Sequence, residues 1–230
     1  MTLKLGVPSK GRLMQKTFDW FSDRGIILRK SGHDREYAGV VDGIDGVELV
    51  LLSASEIPRE LESGRIQLGV TGSDLIRESL NNWDRRVSEV SKMGFGGADL
   101  IIAVPDAWVD VETLDDLDAV AAAFRAHHGF RLRIATKYHR LVRDFLRENG
   151  VADYQLVDSQ GATEGTIRNE TAEVVADITS TGETLRANGL KILGDGMIHS
   201  SQATLFRGRR GGWSQTQRDI LKALAEKLGV

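Results

Sequence analysis

Residues Asp177–Leu185 read D-I-T-S-T-G-E-T-L and follow an apolar run, Val174–Ala176. The apolar run predicts a buried strand, and Leu185 begins a short predicted helix that ends at Gly189. A strand that ends at an acid and passes through small hydroxylated residues into a helix is suited to hold a phosphate. Successive backbone N–H groups and the helix N-terminus then point at one position. The alternative for this segment alone is an ordinary N-capped helix, and no G-K-[ST] follows to make it a nucleotide P-loop.

The composition excludes several classes of function. The chain has 230 residues, 41% of them hydrophobic and 27% charged, and a formal net charge of -3. That balance argues against a general nucleic-acid or membrane-surface binder, so a polyanionic ligand would need locally gathered basic residues. With no cysteine, disulfides, thiolate metal sites and cysteine nucleophiles are ruled out. No apolar run approaches the eighteen or so residues of a membrane span, and we expect a cytoplasmic protein.

Strand and helix signals alternate along the chain, which predicts an α/β fold with mainly parallel sheets. Two glycine-rich segments, Gly94–Gly97 and Gly194–Gly196, suit crossings between two lobes. We therefore expect lobe I to comprise 1–94 and 196–230 and lobe II to comprise 95–195, with the ligand in the cleft between them. The strand-like segments are Leu3–Val7, Val47–Leu52, Ile66–Val70, Leu100–Val104, Leu132–Ala135, Tyr154–Val157, Val174–Ile178 and Ala203–Phe206.

The loop after the first strand carries two cations, Lys10 and Arg12, at the start of a predicted helix. In an open parallel sheet, ligands bind beyond the carboxyl ends of the strands. A cation at a helix N-terminus opposes the helix dipole, so a shared anion would explain the pair. Lysine supplies a point charge and arginine a bidentate fork, a combination that suits a diphosphate or triphosphate. Solvated surface charge is the alternative.

Two further strand-end loops offer amides, hydroxyls and carboxylates. After the third strand, backbone amides would meet a phosphate or an adenine edge, unless Ser73 or Asp74 only caps the next helix. Glu164 suits a ribose hydroxyl or a metal-bound water, and a solvated loop carboxylate is its alternative. Together, the four loops predict a phosphorylated sugar nucleotide or its precursor as the ligand. The third-strand loop comprises Thr71, Gly72, Ser73 and Asp74.

Four motifs follow one another along the chain: P-S-K-G-R-L (8–13), L-G-V-T-G-S-D-L (68–75), I-A-T-K-Y (134–138) and D-I-T-S-T-G-E-T-L (177–185) with A-N-G-L (187–190). Their order resembles that of ATP phosphoribosyltransferase, the family that catalyses the first step of histidine biosynthesis. The resemblance covers essentially the whole chain, and its last motif is the most specific. It implies a two-lobed fold similar to type II periplasmic binding proteins. It also implies transfer of the phosphoribosyl group of 5-phosphoribosyl 1-diphosphate (PRPP) to N1 of ATP, with substrate-bound Mg²⁺.

The resemblance also implies roles for particular residues. The catalytic residues would be Lys10, Glu164 and Asp177, with the two carboxylates near the ribose. The 5-phosphate of PRPP would be bound by Thr179, Ser180, Thr181, Gly182, Glu183 and Thr184. ATP or the departing diphosphate would be bound by Lys10, Arg12, Thr71, Gly72, Ser73 and Asp74. No set of protein ligands for a metal is implied.

The chain ends about where the catalytic lobes of the family end, so the resemblance implies the short form. That form works as a homodimer within a hetero-oligomer whose regulatory subunit is similar to histidyl-tRNA synthetase, with no nucleic-acid or membrane partner. The chain departs from the family pattern at Ser53, Asp99, Glu170 and Glu183. Two alternatives therefore stay open: a non-catalytic, small-molecule-binding protein of the same two-lobed fold, and an inactive subunit of the same complex.

Overall fold

The computed structural model describes residues 2–31, 38–159, 163 and 165–230. The chain divides into two compact units. Unit 1 joins the described residues up to Gly96 to Gln202–Val230, and unit 2 is Gly97–Ser201. The second changeover lies six residues later than the sequence suggests, because Leu190–Ser201 forms one strand. Gly194 and Gly196 fall within that strand, where its pairing register shifts between Ile192 and Met197.

The described residues form twelve strands and nine helices. The strands are β1 (Leu3–Pro8), β2 (Ile27–Lys30), β3 (Ala38–Asp42), β4 (Val47–Leu52), β5 (Leu68–Gly72), β6 (Val87–Lys92), β7 (Ala98–Pro105), β8 (Leu132–Thr136), β9 (Tyr154–Asp158), β10 (Val174–Thr179), β11 (Leu190–Ser201) and β12 (Ala203–Gly208). The helices are α1 (Gly11–Ser22), α2 (Ile57–Ser63), α3 (Ser73–Ser79), α4 (Trp83–Arg86), α5 (Leu114–His128), α6 (His139–Glu148), α7 (Gly165–Arg168), α8 (Glu183–Ala187) and α9 (Gln215–Leu228). No described helix is both long enough and apolar enough to cross a membrane.

The sheet of unit 1 has the strand order β2-β3-β4-β1-β5-β12-β6. β1 pairs in parallel with β4 and β5, and antiparallel pairings flank this trio. When the pairings are followed outward from β1, five of the seven described strands run in the same direction. Leu3, Leu5 and Val7 of the central strand are fully buried, and each such side chain stabilises the fold by about 1.5–3 kcal/mol. This core fixes the loops that follow β1, β4 and β5.

Helices cover both faces of the unit 1 sheet. Alternate residues of β4 point to opposite faces, and they enter two different apolar clusters. Leu49 belongs to the cluster that α1 and α9 complete, whereas Val50 packs against the cluster that α2 and α3 complete. At the start of α9, Ser214 forms a capping box with Gln217, which satisfies backbone N–H groups of the first turn.

The sheet of unit 2 has the strand order β11-β7-β10-β8-β9. β8 pairs in parallel with both β9 and β10, and four of the five described strands point in one direction. An apolar cluster on one face includes Ile101, Val175 and Leu185. Since Leu185 lies in α8, this cluster attaches α8 directly to the strand that precedes it. The short loop between β10 and α8 is therefore held at both ends.

Candidate functional site

The carboxyl ends of three parallel strands, β8, β9 and β10, meet at one edge of unit 2. Thr136, the last residue of β8, lies opposite Asp158, the last residue of β9. β10 keeps the same direction beside β8, with Val175 opposite Ala135. The segments that follow these three strands are therefore neighbours, and this is the edge at which parallel sheets bind ligands.

Asp177 forms an ion pair with Lys137 at this edge. The distance from Lys137 Nζ to Asp177 Oδ1 is 3.5 Å, and the Asp177 side chain is 17% exposed. Asp177 Oδ1 also accepts a hydrogen bond of 2.8 Å from the backbone N–H of Ile178. Lys137 was not predicted as a site residue, although it lies in the I-A-T-K-Y motif. The sequence signal that could have identified Lys137 was its position directly after a parallel strand. That position places it at the same sheet edge as Asp177.

The loop from Thr179 to Thr184 is closed by its own hydrogen bonds. The Thr179 hydroxyl accepts a bond of 2.9 Å from the N–H of Gly182, and the Thr181 hydroxyl accepts one of 3.3 Å from the N–H of Glu183. The Ser180 hydroxyl donates to the carbonyl of Gly97 at 3.1 Å. A threonine hydroxyl that accepts an N–H keeps its own hydrogen to donate. The loop is thus held in shape while Thr179 and Thr181 remain possible donors to a ligand.

Arg186 adds a cation to this loop that the sequence analysis did not assign to the site. Its Nη2 donates to the carbonyl of Thr181 at 3.0 Å. Gly182 has a φ of +71°, and a Cβ built there would lie 2.9 Å from Arg186 Nη1. The guanidinium therefore packs against the backbone of the turn, and a Cβ at position 182 would displace it. Thr184 and Glu183 are both exposed, and Glu183 lies in the first turn of α8, where a carboxylate favours the helix dipole.

Glu164, predicted to lie near the ribose, falls outside the described residues, and its role stays a prediction. On either side of the loop that contains it, polar side chains bond to one another. Thr163 is fully buried, and its hydroxyl accepts a bond of 3.1 Å from the Ser159 hydroxyl. The Thr166 hydroxyl donates to the carbonyl of Thr163 at 2.6 Å. These contacts join the end of β9 to the start of α7.

Unit 1 has a corresponding edge, where β1, β4 and β5 end. Pro8 lies opposite Leu52. Lys10 is the N-cap residue of α1, its side chain makes no capping hydrogen bond, and no acid lies in the first turn. Lys10 and Arg12 are exposed, and neither side chain forms a hydrogen bond or ion pair within the described part of the chain. Among the described residues, Lys10 and Arg12 are therefore two exposed cations without an acidic partner at the start of α1.

Three of the other predicted residues of this edge, Thr71, Ser73 and Asp74, are buried. Thr71, Ser73 and Asp74 are 0%, 8% and 7% exposed. The Thr71 hydroxyl donates to the carbonyl of Ala54 at 2.8 Å, and Gly72 is the N-cap of α3. Neither Ser73 nor Asp74 is therefore the cap, and each has interactions inside the protein. The structure brings this loop to the same edge as Lys10, with the Thr71 hydroxyl bonded internally.

The positions that depart from the family pattern have distinct surroundings. Asp99 lies opposite Thr179 in the β7–β10 pair, two residues from Ile101, which lies opposite Asp177. Directly opposed residues of an antiparallel pair share a face, so Asp99 and Asp177 lie on the same side of the sheet. Among the described residues, no three His, Asp or Glu side chains are grouped as a metal-binding cluster.

Two other departures, Glu170 and Ser53, have distinct backbone conformations and partners. Glu170 adopts a φ of +55°, a left-handed conformation that glycine adopts without strain. Glycine would therefore be less strained than glutamate at this position. Ser53 donates to Glu56 Oε2 through its N–H at 2.9 Å and its hydroxyl at 2.8 Å. The hydroxyl bond, followed by the N–H bond, lowers the pKa of the Glu56 carboxyl.

Comparison with known proteins supports these motifs. The model of the HisG family, ATP phosphoribosyltransferase, matches residues 53–229. An ATP phosphoribosyltransferase of Cereibacter sphaeroides is 70% identical over 230 residues, which are 100% of this chain and 97% of that protein.

Two solved structures share the fold. One is the ATP phosphoribosyl transferase (HisG:HisZ) complex from Thermotoga maritima, with a TM-score of 0.75 and 21% identity over 99% of this chain and 96% of that one. The other is a probable amino-acid ABC transporter extracellular-binding protein of Bacillus subtilis, with a TM-score of 0.52 and 12% identity over 100% and 93%. The predicted α/β fold, similar to periplasmic binding proteins, is confirmed. The family model and the identity over the full chain show that this chain belongs to the ATP phosphoribosyltransferase family.

Proposed function

We propose that this chain transfers the 5-phosphoribosyl group of PRPP to N1 of ATP, releasing diphosphate and forming N1-(5-phosphoribosyl)-ATP in histidine biosynthesis. The observation that carries this function is the 70% identity to an ATP phosphoribosyltransferase across the full chain. The alternative of a non-catalytic binding protein has weaker support, because the likeness to a transport protein is at 12% identity and concerns the fold alone.

The reaction is a displacement at C1 of the ribose. Neutral adenine N1 is a poor nucleophile, so the sugar must approach an oxocarbenium-like cation as diphosphate departs. No covalent nucleophile is needed. The protein must fix the 5-phosphate, hold N1 in line with C1 and neutralise the charge that grows on the diphosphate.

The loop Thr179–Thr184 would fix the 5-phosphate. Its position between β10 and α8, its exposed Thr181 and Thr184 and its hydroxyl-to-amide bonds support this role. A phosphate arriving there would accept hydrogen bonds from hydroxyls and from amides of the helix start. Arg186, already bonded to the carbonyl of Thr181, would supply the compensating positive charge.

Asp177 would bind the ribose close to C1. A carboxylate at this position accepts hydrogen bonds from sugar hydroxyls and favours the positive charge that develops on the ring. The ion pair with Lys137 supports the role, because it holds the carboxylate at the strand end. Glu164 would share this task, as the resemblance implies.

Lys10 and Arg12 would neutralise polyphosphate charge on ATP or on the departing diphosphate. Their exposure and their position at the N-terminus of α1 support the assignment, since backbone N–H groups there add to the attraction for an anion. Thr71, Gly72, Ser73 and Asp74 would shape the backbone of this subsite, because the Thr71 hydroxyl is bonded internally and Ser73 and Asp74 are buried and have interactions inside the protein.

Mg²⁺ would enter with the substrates, bound to their phosphate oxygens. When bound it neutralises the charge of the leaving group. Asp177 and Asp99, which share one face of the sheet, fit a supporting role, because Mg²⁺ commonly takes only one or two carboxylates and fills its remaining positions with phosphate and water oxygens.

We also propose that the chain works as a homodimer within a hetero-oligomer. The support is the Thermotoga maritima neighbour, which is a HisG:HisZ complex. The partner would be a regulatory subunit similar to histidyl-tRNA synthetase. The use of ATP as a substrate favours a cytoplasmic location.

The test is to incubate the purified chain with ATP, PRPP and Mg²⁺, with and without the regulatory subunit, and to follow adduct and diphosphate by mass spectrometry and a diphosphate assay. We expect the two products in equal amounts. Binding of both substrates without any adduct, even with the regulatory subunit present, would instead identify an inactive subunit. Omission of Mg²⁺ is expected to abolish turnover.

A further inference from the structure

A cavity in unit 1 is lined by five arginines. It is open to solvent, and its other lining residues are Glu62 and Ser63. The arginines come from three separate parts of the chain: α2, the α4–β6 junction and the segment after β12. They are Arg59, Arg85, Arg86, Arg209 and Arg210.

The fold places this cavity at the edge of the sheet opposite the proposed substrate loops of unit 1. β12 runs antiparallel to β5, with Ala203 opposite Gly72 and Arg207 opposite Leu68. Arg209 and Arg210 therefore lie beyond the amino-terminal end of β5. Since a strand rises about 3.3 Å per residue, the five residues of β5 separate the two edges by about 13 Å.

Only part of the positive charge of this cavity is compensated. Arg86 forms an ion pair with Glu62 and donates from Nε to the carbonyl of Asn81 at 3.0 Å. Arg209 donates from Nε to the carbonyl of Val87 at 3.2 Å. The side chains of the remaining three, Arg59, Arg85 and Arg210, form no hydrogen bond or ion pair within the described ranges.

Five arginines and one glutamate give the cavity lining a formal charge of +4, within a chain whose net charge is -3. Like charges gathered around one opening repel one another, and a bound anion removes that repulsion. The acidic composition predicts that basic residues must be gathered locally to bind a polyanion, and this cavity is such a gathering.

We propose that this cavity is a polyphosphate-binding site, separate from the substrate loops of unit 1. Guanidinium groups form paired hydrogen bonds with phosphate oxygens. Because three chain segments surround the opening, several phosphates of one ligand meet arginines from different elements. The concave shape favours a compact anion over a flat protein surface. The ligand is inorganic polyphosphate or the polyphosphate of a nucleotide. This proposal does not depend on the transferase reaction.

The test is isothermal titration calorimetry of the full chain with inorganic tripolyphosphate at low ionic strength, with ATP as a second ligand. We expect a class of tripolyphosphate sites that weakens steeply as salt is added. The double substitution R85Q/R210Q should weaken this class by about tenfold for each arginine removed, and R59Q alone by about tenfold. Turnover and the Michaelis constants for ATP and PRPP should stay unchanged. ATP binding to the same class would identify a nucleotide as the ligand, and its failure to bind would identify inorganic polyphosphate.

The matched control is R218Q, which removes an exposed arginine of α9 outside the cavity. It should leave the titration unchanged, and thermal unfolding should show that every variant folds. Titrations of R85Q/R210Q that superimpose on the wild type would overturn the proposal. A second pair of results would also overturn it. In that case the wild-type chain would bind no tripolyphosphate at this cavity, and the double variant would fail only to assemble with the regulatory subunit. That second result would identify the cavity as a protein-docking surface. A chain that forms no adduct yet keeps this binding class would contradict the transferase proposal alone.

Discussion

The loop after β10 in unit 2 and the loop after β1 in unit 1 both lead from a parallel strand into a helix, yet they are built differently. In unit 2, the hydroxyls of Thr179 and Thr181 accept hydrogen bonds from amides of the same loop. In unit 1, the side chains of Lys10 and Arg12 are exposed, and within the described residues they have no partner. The first loop is shaped before any ligand arrives, whereas the second offers charge on flexible side chains.

This difference separates positioning from charge neutralisation. Ordering a lysine or arginine side chain on a ligand costs up to about 1.5–2 kcal/mol of conformational entropy. A loop that is already ordered avoids most of that cost, and its donors act on a phosphate at a fixed place. We therefore expect substitutions in the unit 2 loop to affect the recognition of PRPP, and substitutions in the unit 1 loop to affect turnover.

The largest effect is expected for Asp177→Asn, which keeps the shape of the side chain and removes its charge. Loss of one electrostatic contact to a transition state lowers turnover by about 10²–10³-fold. Steady-state kinetics with both substrates would measure it. The matched control is Asp158→Asn, at the end of the neighbouring β9, which should keep more than half of the activity. Equal activity of the two variants would remove Asp177 from the mechanism.

The next largest effects are expected for Thr181→Ala and Thr184→Ala. Each removes a charge-assisted donor worth about 1.5–3 kcal/mol, so the Michaelis constant for PRPP should rise while that for ATP changes little. Thr181→Ser restores the hydroxyl and should recover most of the loss. Unchanged PRPP kinetics in both alanine variants would contradict a phosphate site in this loop.

Lys10→Ala should lower turnover about tenfold by removing charge stabilisation of the leaving group, with a smaller change in ATP binding. Comparison of the turnover number with an ATP dissociation constant separates the two effects. Lys16→Ala, an exposed lysine on the same helix, serves as the control. Wild-type turnover in the Lys10 variant would leave the unit 1 loop without a role in the reaction.

Substitution of one glycine in each loop would compare the two loops at the level of the backbone. Gly11 and Gly182 both have positive φ, 76° and 71°, so alanine at either position costs about 1 kcal/mol of stability. Only at Gly182 would the new Cβ displace Arg186, because nothing lies within 4 Å of a Cβ at Gly11. Both variants should lose similar thermal stability, whereas only Gly182→Ala should also raise the Michaelis constant for PRPP. The same PRPP kinetics in both variants would mean that Arg186 is not needed.

The sequence predicted the strongly apolar strands and the edge strand β9, and it missed β2, β3, β6 and β11. β1, β4 and β10 are short apolar runs, because their residues are buried inside a sheet. β2 and β6 are the edge strands of unit 1 and carry exposed polar residues, which hide their pattern. Within β11, Gly194 and Gly196 suggested a crossing between lobes, but they accommodate an irregular pairing instead.

For the site, local sequence was sufficient only where one segment builds the feature. The turn at Thr179–Thr184 and the cations of α1 could be predicted in this way. The Lys137–Asp177 ion pair and the pairing of Asp99 with Thr179 join residues 40 and 80 positions apart, and they depend on strand order. The arginine cavity needs three elements brought together by β12. Glu164 lies outside the described residues.

The left-handed conformation of Glu170 offers a ready route to a more robust protein. Its backbone N–H and carbonyl are both engaged, the carbonyl by Arg133 at 2.9 Å, and Glu170→Gly would preserve these bonds while relieving the strain. The substitution should raise the unfolding free energy by about 1 kcal/mol, and the melting temperature by about 2–4 °C. Differential scanning calorimetry would measure the gain, with Asn82→Gly at φ +50° as a comparison that should gain less, because asparagine tolerates this conformation. The melting temperature of the natural sequence is therefore lower than this fold allows, because of the backbone conformation of one residue.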